Sequence, residues 1–488
     1  MMFQRVIILF AIFHGSSVFN NKRNNLVSAQ VFDSSNEEFQ PTVVTVESYP
    51  SRRLLNAVSL PEGSIWCDGK PTYWLVGHQK SHESPWCLTS TNESEGTRTD
   101  FSAFYDLKES TWEMNPTTAL DDIDDYPPHN GKNIDRHVCV AMDLNNDGVH
   151  DLVCGVGAGK GLSQGFNEVY ITQKEDNSLG SRGSLVKIDD GRGLQRFKSM
   201  RIRFITTLKG NDGSQLLFLA TKGSNVGFKN QHRMFRLVPD DGPYGFHFDH
   251  VSGPWIRFTK ASCLQTVDFN SDGVDDIIMC NEDGHPAFVF LQGHDGSDKP
   301  WTRMGLGRLS KKWTNVRLYD IDGDEINDLI VVQDNKINIY KGQKEYPFFS
   351  FNKENRLLHR KLLYPAPDVE IIDANQDGIP DIYVVQNDSS KPNSDEINYC
   401  GTPSRDPAWR EKYYDNNTWG PTDDWNPPKD TAPDILFLGS ASGKFTRVEM
   451  KHSEPGCGFL VERFGNNRTL ILGQGARSRV GHNLLLQW

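Results

Sequence analysis

The chain has 488 residues, a formal net charge of −12 at pH 7 and 37% hydrophobic residues. This length suits two to four average domains or one large all-β domain. The acidic balance makes nucleic acid and anionic membrane surfaces unfavourable partners. No stretch beyond the N-terminus approaches about 18 consecutive apolar residues, so no membrane span is predicted.

The N-terminus is predicted to be a signal peptide. The stretch MMFQRVIILFAIFHGSS has one arginine and then an apolar run from Val6 to Phe13, which is too short to cross a bilayer. The segment VSAQ favours cleavage after Ala29 and thus a signal peptide over residues 1–29, while the polar stretch NNKRNN keeps an earlier cut near Ser17 open. A buried N-terminal strand is the other interpretation. We expect a secreted, extracellular protein.

Three further segments follow. Residues 30–60 are expected to be a loosely structured lead-in, residues 61–488 hold a repeated fold, and residues 388–431 interrupt one repeat as a long loop rich in Pro, Asn, Asp, Tyr and Trp. Exposed aromatic residues are enriched where proteins bind partners, so we expect this insert to carry the partner site. Its aromatic residues include Trp409, Tyr413, Tyr414, Trp419 and Trp425.

Four nine-residue stretches carry Asp or Asn at positions 1, 3, 5 and 9. They are DLNNDGVHD from Asp143, DFNSDGVDD from Asp268, DIDGDEIND from Asp320 and DANQDGIPD from Asp373, and each leads into a short apolar run. Carboxylates this close repel one another unless a cation lies among them. Calcium prefers six to eight hard oxygen ligands, and such a loop offers four side chains and the backbone carbonyl of position 7. The sequence therefore predicts about four bound Ca²⁺ ions.

The predicted calcium ligands are the residues at positions 1, 3, 5, 7 and 9 of each loop. In chain order they are Asp143, Asn145, Asp147, Val149, Asp151, Asp268, Asn270, Asp272, Val274, Asp276, Asp320, Asp322, Asp324, Ile326, Asp328, Asp373, Asn375, Asp377, Ile379 and Asp381. Glycine at position 6 of the first, second and fourth loops permits a sharp turn. The third loop has Glu325 there, which leaves its backbone geometry or its calcium affinity open.

Two other interpretations of these loops exist. The EF-hand shares the opening of the motif but requires Glu at position 12 and flanking helices. The residues at position 12 are instead Cys154, Met279, Val331 and Val384, all in apolar runs. EF-hands are thereby excluded, and a plain Asp/Asn/Gly turn without metal remains the alternative. The plain turn is favoured for two degenerate copies near residues 208 and 426, which keep only some of the acidic residues.

The loops belong to a longer repeat. Their first aspartates lie 125, 52 and 53 residues apart, which indicates a period near 53 with one copy skipped. Weaker echoes are LKGNDGSQLLFLA, DGKPTYWLVG and GNNRTLILGQG. Alternating, β-branched patterns predict four strands and no helix per unit, which is typical of β-propeller blades. We predict an all-β, seven-bladed β-propeller over residues 61–488, with the C-terminal copy joining N-terminal strands in a composite closing blade.

Eight cysteines, an even number, indicate disulfides and an oxidising compartment. One pair flanks the first loop and another flanks the second. Counted from the first aspartate of its loop, each pair has the same index sum, which predicts cross-strand disulfides at one equivalent position of an antiparallel hairpin. Free buried thiols are the alternative, and two further pairs follow by elimination. The four predicted pairs are Cys139–Cys154, Cys263–Cys280, Cys67–Cys87 and Cys400–Cys457.

Four Asn-X-Ser/Thr triplets are compatible with secretion, although such triplets also arise by chance. We predict N-glycosylation at them. They lie at Asn92, Asn387, Asn416 and Asn467.

The motif D-x-[DN]-x-D-G-x-x-D before an apolar strand, at this spacing, resembles the FG-GAP/VCBS repeats of integrin-α-like β-propellers over roughly residues 64–485. The stretch DRHVCVAMDLNNDGVHDLVCGVGAGKG is further similar to the secreted, cartilage-acidic-protein-like branch. The resemblance implies Ca²⁺ in each loop, at a turn joining two strands of a blade, and partner contacts on the opposite face. It indicates fold and metal rather than function, because one propeller scaffold serves adhesion, sugar binding and catalysis.

Other motifs carry little weight. GLSQG has the G-x-S-x-G spacing around Ser163, but a nucleophile elbow needs a strand-to-helix turn in an α/β sheet, and GVGAGKG departs from the phosphate-loop pattern. The histidines of HFDH, His247 and His250, favour a turn or an outer strand over a second metal site. The basic run GRGLQRFKSMRIR is a candidate site for an anionic glycan, with a solvated strand face as the default. No catalytic residue is predicted.

The sequence favours binding over catalysis. We expect a secreted calcium-binding β-propeller that acts as an extracellular recognition or adhesion-type module for a protein or glycan ligand. The alternative is a calcium-dependent, lyase-like enzyme acting on polysaccharide, which requires a Lys, Arg, His or Tyr base in a central funnel. The repeat leaves no room for a separate catalytic domain, so we predict a non-enzymatic protein.

Overall fold

The chain divides into Met1–Glu38 and Phe39–Trp488, and the computed structural model describes residues of the second unit only. The predicted signal peptide therefore lies outside the described residues. These are 39–46, 54–59, 72–77, 86–90, 112–116, 136–156, 168–174, 183–188, 202–221, 232–254, 261–281, 287–293, 301–306, 314–333, 335–345, 347–362, 366, 368–386, 414–415, 420–421, 433–450, 458–463, 469–474 and 483–488. Within those ranges, no helical segment has the length and apolar character that crossing a membrane requires.

The regular structure of the described residues consists of β-strands alone. Runs rich in Val, Ile and Leu, such as LIVVQ and IYVVQ, form them because branched side chains pack well on a pleated surface. In chain order the strands are β1 Thr42–Val46, β2 Leu54–Ser59, β3 Thr72–Gly77, β4 Trp86–Ser90, β5 Trp112–Pro116, β6 Arg136–Met142, β7 Asp151–Val156, β8 Glu168–Lys174, β9 Gly183–Lys187, β10 Ile202–Lys209, β11 Gln215–Thr221, β12 Arg233–Pro239, β13 Phe246–Val251, β14 Ala261–Val267, β15 Asp276–Asn281, β16 Phe288–Gln292, β17 Trp301–Gly305, β18 Thr314–Tyr319, β19 Asp328–Gln333, β20 Lys336–Tyr340, β21 Arg356–Lys361, β22 Asp368–Ile372, β23 Asp381–Val385, β24 Tyr414–Asp415, β25 Gly420–Pro421, β26 Ile435–Leu438, β27 Thr446–Glu449, β28 Gly458–Arg463, β29 Thr469–Gln474 and β30 Asn483–Gln487.

These strands form four-stranded antiparallel sheets in which sequence neighbours mostly pair. Among the described strands, sheet 1 is β2-β3-β4-β5, sheet 2 is β6-β7-β8-β9, sheet 3 is β10-β11-β12-β13, sheet 4 is β14-β15-β16-β17, sheet 5 is β18-β19-β20-β21, sheet 6 is β22-β23-β26-β27 and sheet 7 is β28-β29-β30-β1. Strands β24 and β25 pair with each other between β23 and β26. The prediction of an all-β fold built from repeated four-stranded units is confirmed.

Sheet 7 combines strands from both ends of the described chain. β1 lies antiparallel to β30, with Val44 opposite Leu485, and Trp488 Nε1 donates a hydrogen bond to the Phe39 carbonyl at 3.2 Å. The expected joining of N-terminal and C-terminal strands is therefore observed. Strands β1 and β2 fall within residues 30–60, which we predicted to be loosely structured. Both stretches are ordered instead, because their backbone groups complete the ladders of sheets 7 and 1.

Successive sheets contact each other through their first strands. β6 contacts β2 and β10, β14 contacts β10 and β18, and β22 contacts β18 and β28, while β28 also contacts β2. Apolar side chains fill the space between the sheets: Val153 and Leu219 share a cluster between sheets 2 and 3, and the rings of Phe218 and Phe290 lie 6.0 Å apart between sheets 3 and 4. The core therefore consists of apolar layers between sheets, and the connecting loops lie at the strand ends.

Two predicted disulfides are confirmed, but they do not occupy one equivalent position. Cys139–Cys154 joins β6 to β7 and Cys263–Cys280 joins β14 to β15, with Cα atoms 4.1 and 4.8 Å apart. The hairpins share one register, yet the second bridge lies one residue pair further from its loop. Successive pairs point to opposite faces of a sheet, so Cys263 and Cys280 pack towards sheet 5. Val153 packs towards sheet 3, which turns the adjacent Cys154 the other way.

Candidate calcium loops

The four predicted loops join the first strand to the second strand of sheets 2, 4, 5 and 6. In the first loop, Asp143 follows β6 and Asp151 begins β7, opposite Met142. The position 9 aspartates of the other three loops begin β15, β19 and β23 in the same way. The nine residues therefore form an equivalent hairpin turn in each of these sheets.

The aspartates at positions 1 and 5 organise the turn by accepting backbone hydrogen bonds. Asp143 Oδ1 accepts from the N–H of Asp147 at 3.1 Å and Asp143 Oδ2 from the N–H of Gly148 at 2.9 Å. The other three loops repeat both bonds at 2.8–3.1 Å. Asp147 Oδ1 accepts in turn from the N–H of Val149 at 2.8 Å. These carboxylates therefore fold inward over their own backbone.

Position 6 of every loop has a left-handed backbone. It is glycine in three loops, with φ of 81° for Gly148, 84° for Gly273 and 77° for Gly378. In the third loop Glu325 adopts φ 66°, and glycine stands two residues earlier as Gly323 with φ 76°. At position 6 the third loop therefore has the same left-handed backbone as the other loops, and its calcium affinity stays open. A side chain in this conformation is strained.

The aspartate at position 9 is a buried clamp between the loop and the third strand. Asp151 is 0% exposed, its Oδ2 accepts from the N–H of Leu144 at 2.9 Å and its Oδ1 from the N–H of Thr172 at 2.8 Å. The position 9 aspartates of the other loops are equally buried and repeat both bonds at 2.8–3.1 Å. Burial raises the pKa of this carboxyl to about 6 in the first and third loops and to about 7 in the second and fourth.

Positions 3 and 5 are bridged in two different ways. In the first loop Asn145 Nδ2 donates to Asp147 Oδ2 at 3.1 Å, and the second and fourth loops have the same bond at 2.8 and 2.9 Å. The third loop has Asp322 at position 3, and Lys341 Nζ contacts this carboxylate and lies 3.0 Å from Asp324 Oδ2. The hydrogen bonds to Asp322 and Asp324 raise the pKa of Lys341 above its usual range.

The donor set fits calcium. The carboxylates of Asp320, Asp322 and Asp328 each place an oxygen within 4.8 Å of the others. Positions 1, 3, 5 and 9 supply hard oxygen atoms in all four loops, which are the ligands that calcium prefers. The asparagine amides at position 3 present either oxygen or nitrogen by rotation. These side chains and the carbonyl of position 7 are the groups that would hold an ion.

Sheet 3 has a plain turn at the same place, as favoured for the degenerate copy near residue 208. Residues 210–214 join β10 to β11, and the N–H of Gly210 donates to the Ser214 carbonyl at 2.7 Å. Asp212 Oδ1 accepts hydrogen bonds from the N–H and the hydroxyl of Ser214 at 3.0 and 2.6 Å. Gln292 of sheet 4 accepts a further hydrogen bond from this turn at 2.9 Å.

Of the acidic and amide residues of the degenerate copy near residue 426, Asp434 alone lies in the described part of the chain. This aspartate is buried; its Oδ2 accepts from the Tyr383 hydroxyl at 2.8 Å and its Oδ1 from the N–H of Gln386 at 2.9 Å. Burial raises its pKa to about 7. It precedes β26, the third strand of sheet 6, so it stands outside any first-to-second-strand hairpin. A structural role without metal is the better interpretation.

The histidines of the HFDH motif have different partners. His247 on outer strand β13 lies 2.9 Å from Asp240 Oδ2 and 3.4 Å from Asp249 Oδ1. The ring of His250 lies 3.3 Å from the Arg233 guanidinium. The two rings do not converge on one point, which agrees with an outer-strand role.

Several predicted residues lie outside the part of the chain that the structure describes. They are the four sequon asparagines, Ser163, most of the basic run, and the side chains of Cys67, Cys87, Cys400 and Cys457. Of the 388–431 insert, the backbone of β24 and β25 alone is described. These assignments stay predictions.

Sequence reasoning missed two residues that contact the loops. Lys341 directly follows β20, and Gln292 ends β16. The residues before the clamp donors of the other loops are Ile171, Leu291 and Leu438. A lysine in an otherwise apolar position of the repeat was therefore the available signal, and it becomes visible once the repeats are aligned strand by strand.

Comparison with known families identifies the central part of the chain. Residues 268–331 and 320–384 match the family model described as FG-GAP-like repeat. The matched residues contain the second, third and fourth loops and the strands between them. Together with the repeated four-stranded sheets, these FG-GAP-like repeats indicate an FG-GAP β-propeller.

Solved structures with a similar backbone include three of low sequence identity. The crystal structure of BBS1N in complex with ARL6DN has 9% identity and a TM-score of 0.40, covering 92% of this chain and 97% of that one. An Agrocybe aegerita lectin that recognises non-reducing terminal N-acetylglucosamine has 11% identity and a TM-score of 0.41, with 90% and 85% covered. The Dos1 propeller has 10% identity and a TM-score of 0.40, with 91% and 95% covered. No curated protein matches the chain in sequence.

Proposed function

We propose that this chain is a seven-bladed, calcium-stabilised β-propeller of the integrin-α-like kind, in its secreted, cartilage-acidic-protein-like branch. It acts outside the cell as a recognition module for a protein or glycan. The observation that carries the proposal is the shared geometry of the four loops, which gather oxygen ligands in one turn through one hydrogen-bond scheme. The contacts between first strands from sheet 1 to sheet 7, and from sheet 7 back to sheet 1, support seven blades.

Calcium in these loops is structural in this proposal. Each loop is a tight connection inside one sheet, so an ion stiffens the turn and relieves repulsion between its carboxylates. Extracellular calcium sites have dissociation constants on the order of 10⁻⁴–10⁻³ M. At about millimolar calcium, a site of about 10⁻⁴ M adds about 1.4 kcal/mol to the free energy of unfolding.

An extracellular location is supported by the two cross-strand disulfides, since such bonds persist mainly in oxidising compartments. The calcium loops point the same way. At the sub-micromolar calcium of a cytosol, sites of this affinity stand empty and their carboxylates repel one another. The predicted signal peptide and the four sequons add to this support.

The partner site is proposed to lie in the 388–431 insert between β23 and β26, because of its aromatic residues. A glycan array and a panel of matrix proteins, probed with the purified protein in calcium, should give specific binding. Replacing the insert by a short linker should abolish that binding while the calcium-dependent melting temperature stays unchanged. Binding that survives this deletion places the site elsewhere.

The same samples test the rival lyase-like function. A bound polysaccharide incubated with the protein should be recovered at its original length. Release of unsaturated oligosaccharides, measured by their ultraviolet absorbance, would replace recognition by catalysis as the function.

A further inference from the structure

At the ligand positions, the third loop differs from the others by one added carboxylate and one added ammonium. Asp322 stands at position 3, where the other three loops have asparagine. Lys341 Nζ contacts the Asp322 carboxylate and lies 3.0 Å from Asp324 Oδ2. The lysine side chain is 43% exposed, so its ammonium reaches the loop from the solvent side.

The position of Lys341 in the repeat makes this a built feature of sheet 5. The N–H of the next residue, Gly342, donates to Asp328 Oδ1 at 2.8 Å, the same clamp that every loop has. The residues in the equivalent place of sheets 2, 4 and 6 are Ile171, Leu291 and Leu438. Ile171 and Leu291 are buried in apolar clusters between sheets, whereas the half-exposed Lys341 side chain contacts the acidic loop.

The two kinds of bridge respond differently to an incoming cation. In the other loops the asparagine amide rotates to offer its oxygen, which breaks its Nδ2 bond to the position 5 carboxylate and its Oδ1 bond from the position 5 N–H, each of about 1 kcal/mol. In the third loop an ion must share Asp322 and Asp324 with a positive charge already seated between them. Repulsion between the two cations acts at a few ångströms and is weakly screened at that distance.

We propose that Lys341 is a tethered cation that neutralises the third loop. The loop keeps its shape without calcium and binds calcium more weakly than the other three loops. This inference rests on the proposed calcium binding and refines it: three of the four sites bind calcium with similar affinity and the third loop binds it more weakly. At intermediate calcium concentrations three ions are bound.

Equilibrium dialysis against ⁴⁵Ca²⁺ tests this with the full-length protein and Lys341→Leu, which introduces the residue found in sheets 4 and 6. Wild type should bind three ions at one affinity and a fourth about fivefold or more weakly, the size of a partly exposed charge interaction. Lys341→Leu leaves four carboxylates without the ammonium, so its fourth ion should bind at least as tightly as the other three. In chelator, the same variant should melt at a lower temperature than wild type, because its carboxylates then repel one another.

Lys336→Leu is the matched control. Lys336 is an exposed lysine at the start of β20, the strand that Lys341 follows. Its replacement removes the same charge and should leave all four calcium affinities as they are in wild type. A second variant, Asp322→Asn, serves if Lys341→Leu folds poorly. It leaves three carboxylates beside the lysine, so the fourth ion should bind more weakly than in wild type. If Lys341 has no effect on calcium, the four sites of this variant should have equal affinity.

The outcomes separate the inference from the function on which it rests. Four equal sites in wild type, unchanged in Lys341→Leu, would overturn the role of Lys341 and leave calcium binding intact. No bound calcium in any variant would overturn the proposed function, and the weaker third site with it. A melting temperature in chelator that Lys341→Leu does not lower contradicts the tethered cation in either case.

Discussion

Sheets 3 and 4 are neighbours that make the same first hairpin in two ways. In sheet 3 the residues 210–214 suffice, and exposed Gln215 starts the second strand opposite Lys209. In sheet 4 the loop starts at Asp268, and Asp276, which is 0% exposed, starts the second strand opposite Val267. The strand ends are equivalent, so a tight turn of this fold needs neither the longer loop nor its carboxylates.

The difference between the two hairpins concerns the role of the acidic loops. In sheet 3 the hairpin turn only has to reverse the chain direction, and it uses glycines and one aspartate. The loop of sheet 4 instead buries one carboxylate and crowds two more beside it, an arrangement that is unfavourable without compensation. The proposed cation would supply that compensation. Substitutions at matched positions of the two hairpins test this difference.

The largest effect is expected from the buried clamp. Asp276→Ala removes the acceptor of the N–H groups of Phe269 and Gln292, and two buried donors left without partners lower the free energy of unfolding by about 3–5 kcal/mol. The matched substitution in sheet 3, Gln215→Ala, should change it by less than about 0.5 kcal/mol because that side chain is exposed. Urea denaturation in calcium measures both. A loss below about 1 kcal/mol for Asp276→Ala contradicts the clamp.

Asp434 is a buried carboxylate outside the four acidic loops. It therefore shows the effect of burial without that of cation binding. Its raised pKa means that the folded protein keeps the proton between pH 4 and about 7, while the unfolded chain loses it near pH 3.8. Its stabilising contribution is therefore present below pH 4 and is lost as the pH rises towards 7, by about 2–3 kcal/mol between pH 5 and 7. Asp434→Asn stays neutral and should flatten this part of the profile. Parallel denaturation profiles of the two proteins would show that Asp434 does not titrate as described.

The aspartates at position 5 test the cation directly. Replacing one of them by alanine removes a ligand and the acceptor for position 7, so the melting temperature in calcium should fall and its calcium-dependent shift should shrink, by about 1–2 kcal/mol per loop. The variants are Asp147→Ala, Asp272→Ala, Asp324→Ala and Asp377→Ala. Asp212→Ala in the plain turn of sheet 3 is the control and should leave the calcium-dependent shift intact. If chelator does not change the melting temperature of the wild-type protein, all four loops are plain turns without metal.

The smallest effect concerns the left-handed residue of the third loop. Glu325→Gly replaces a side chain at φ 66° by glycine, which relieves strain and should raise the melting temperature by the equivalent of about 0.5–1 kcal/mol. Gly323→Ala, at φ 76° in the same loop, should lower it by a similar amount. Thermal unfolding in chelator isolates the backbone effect from calcium. Equal melting temperatures for both variants would mean that the loop backbone differs from the one described.

The form of the loops was determined by the sequence itself, because their bonds are local. Asp143 binds the N–H groups of residues four and five positions later, and Asp147 binds the N–H two positions later. Short polar side chains make such bonds with their own backbone wherever the chain turns. The same holds for the strands, whose β-branched runs follow from local preference, and for the register of the cysteine hairpins, which follows from the loop length.

Contacts between sheets were decided by the tertiary structure alone. Arg317 lies 3.1 Å from Asp368, 51 residues along the chain, and Gln292 donates to the Lys209 carbonyl at 3.1 Å across 83 residues. The apolar pattern specifies which face of a strand is buried, but it leaves open how far one sheet is shifted and twisted against the next. That shift decides which polar side chains meet.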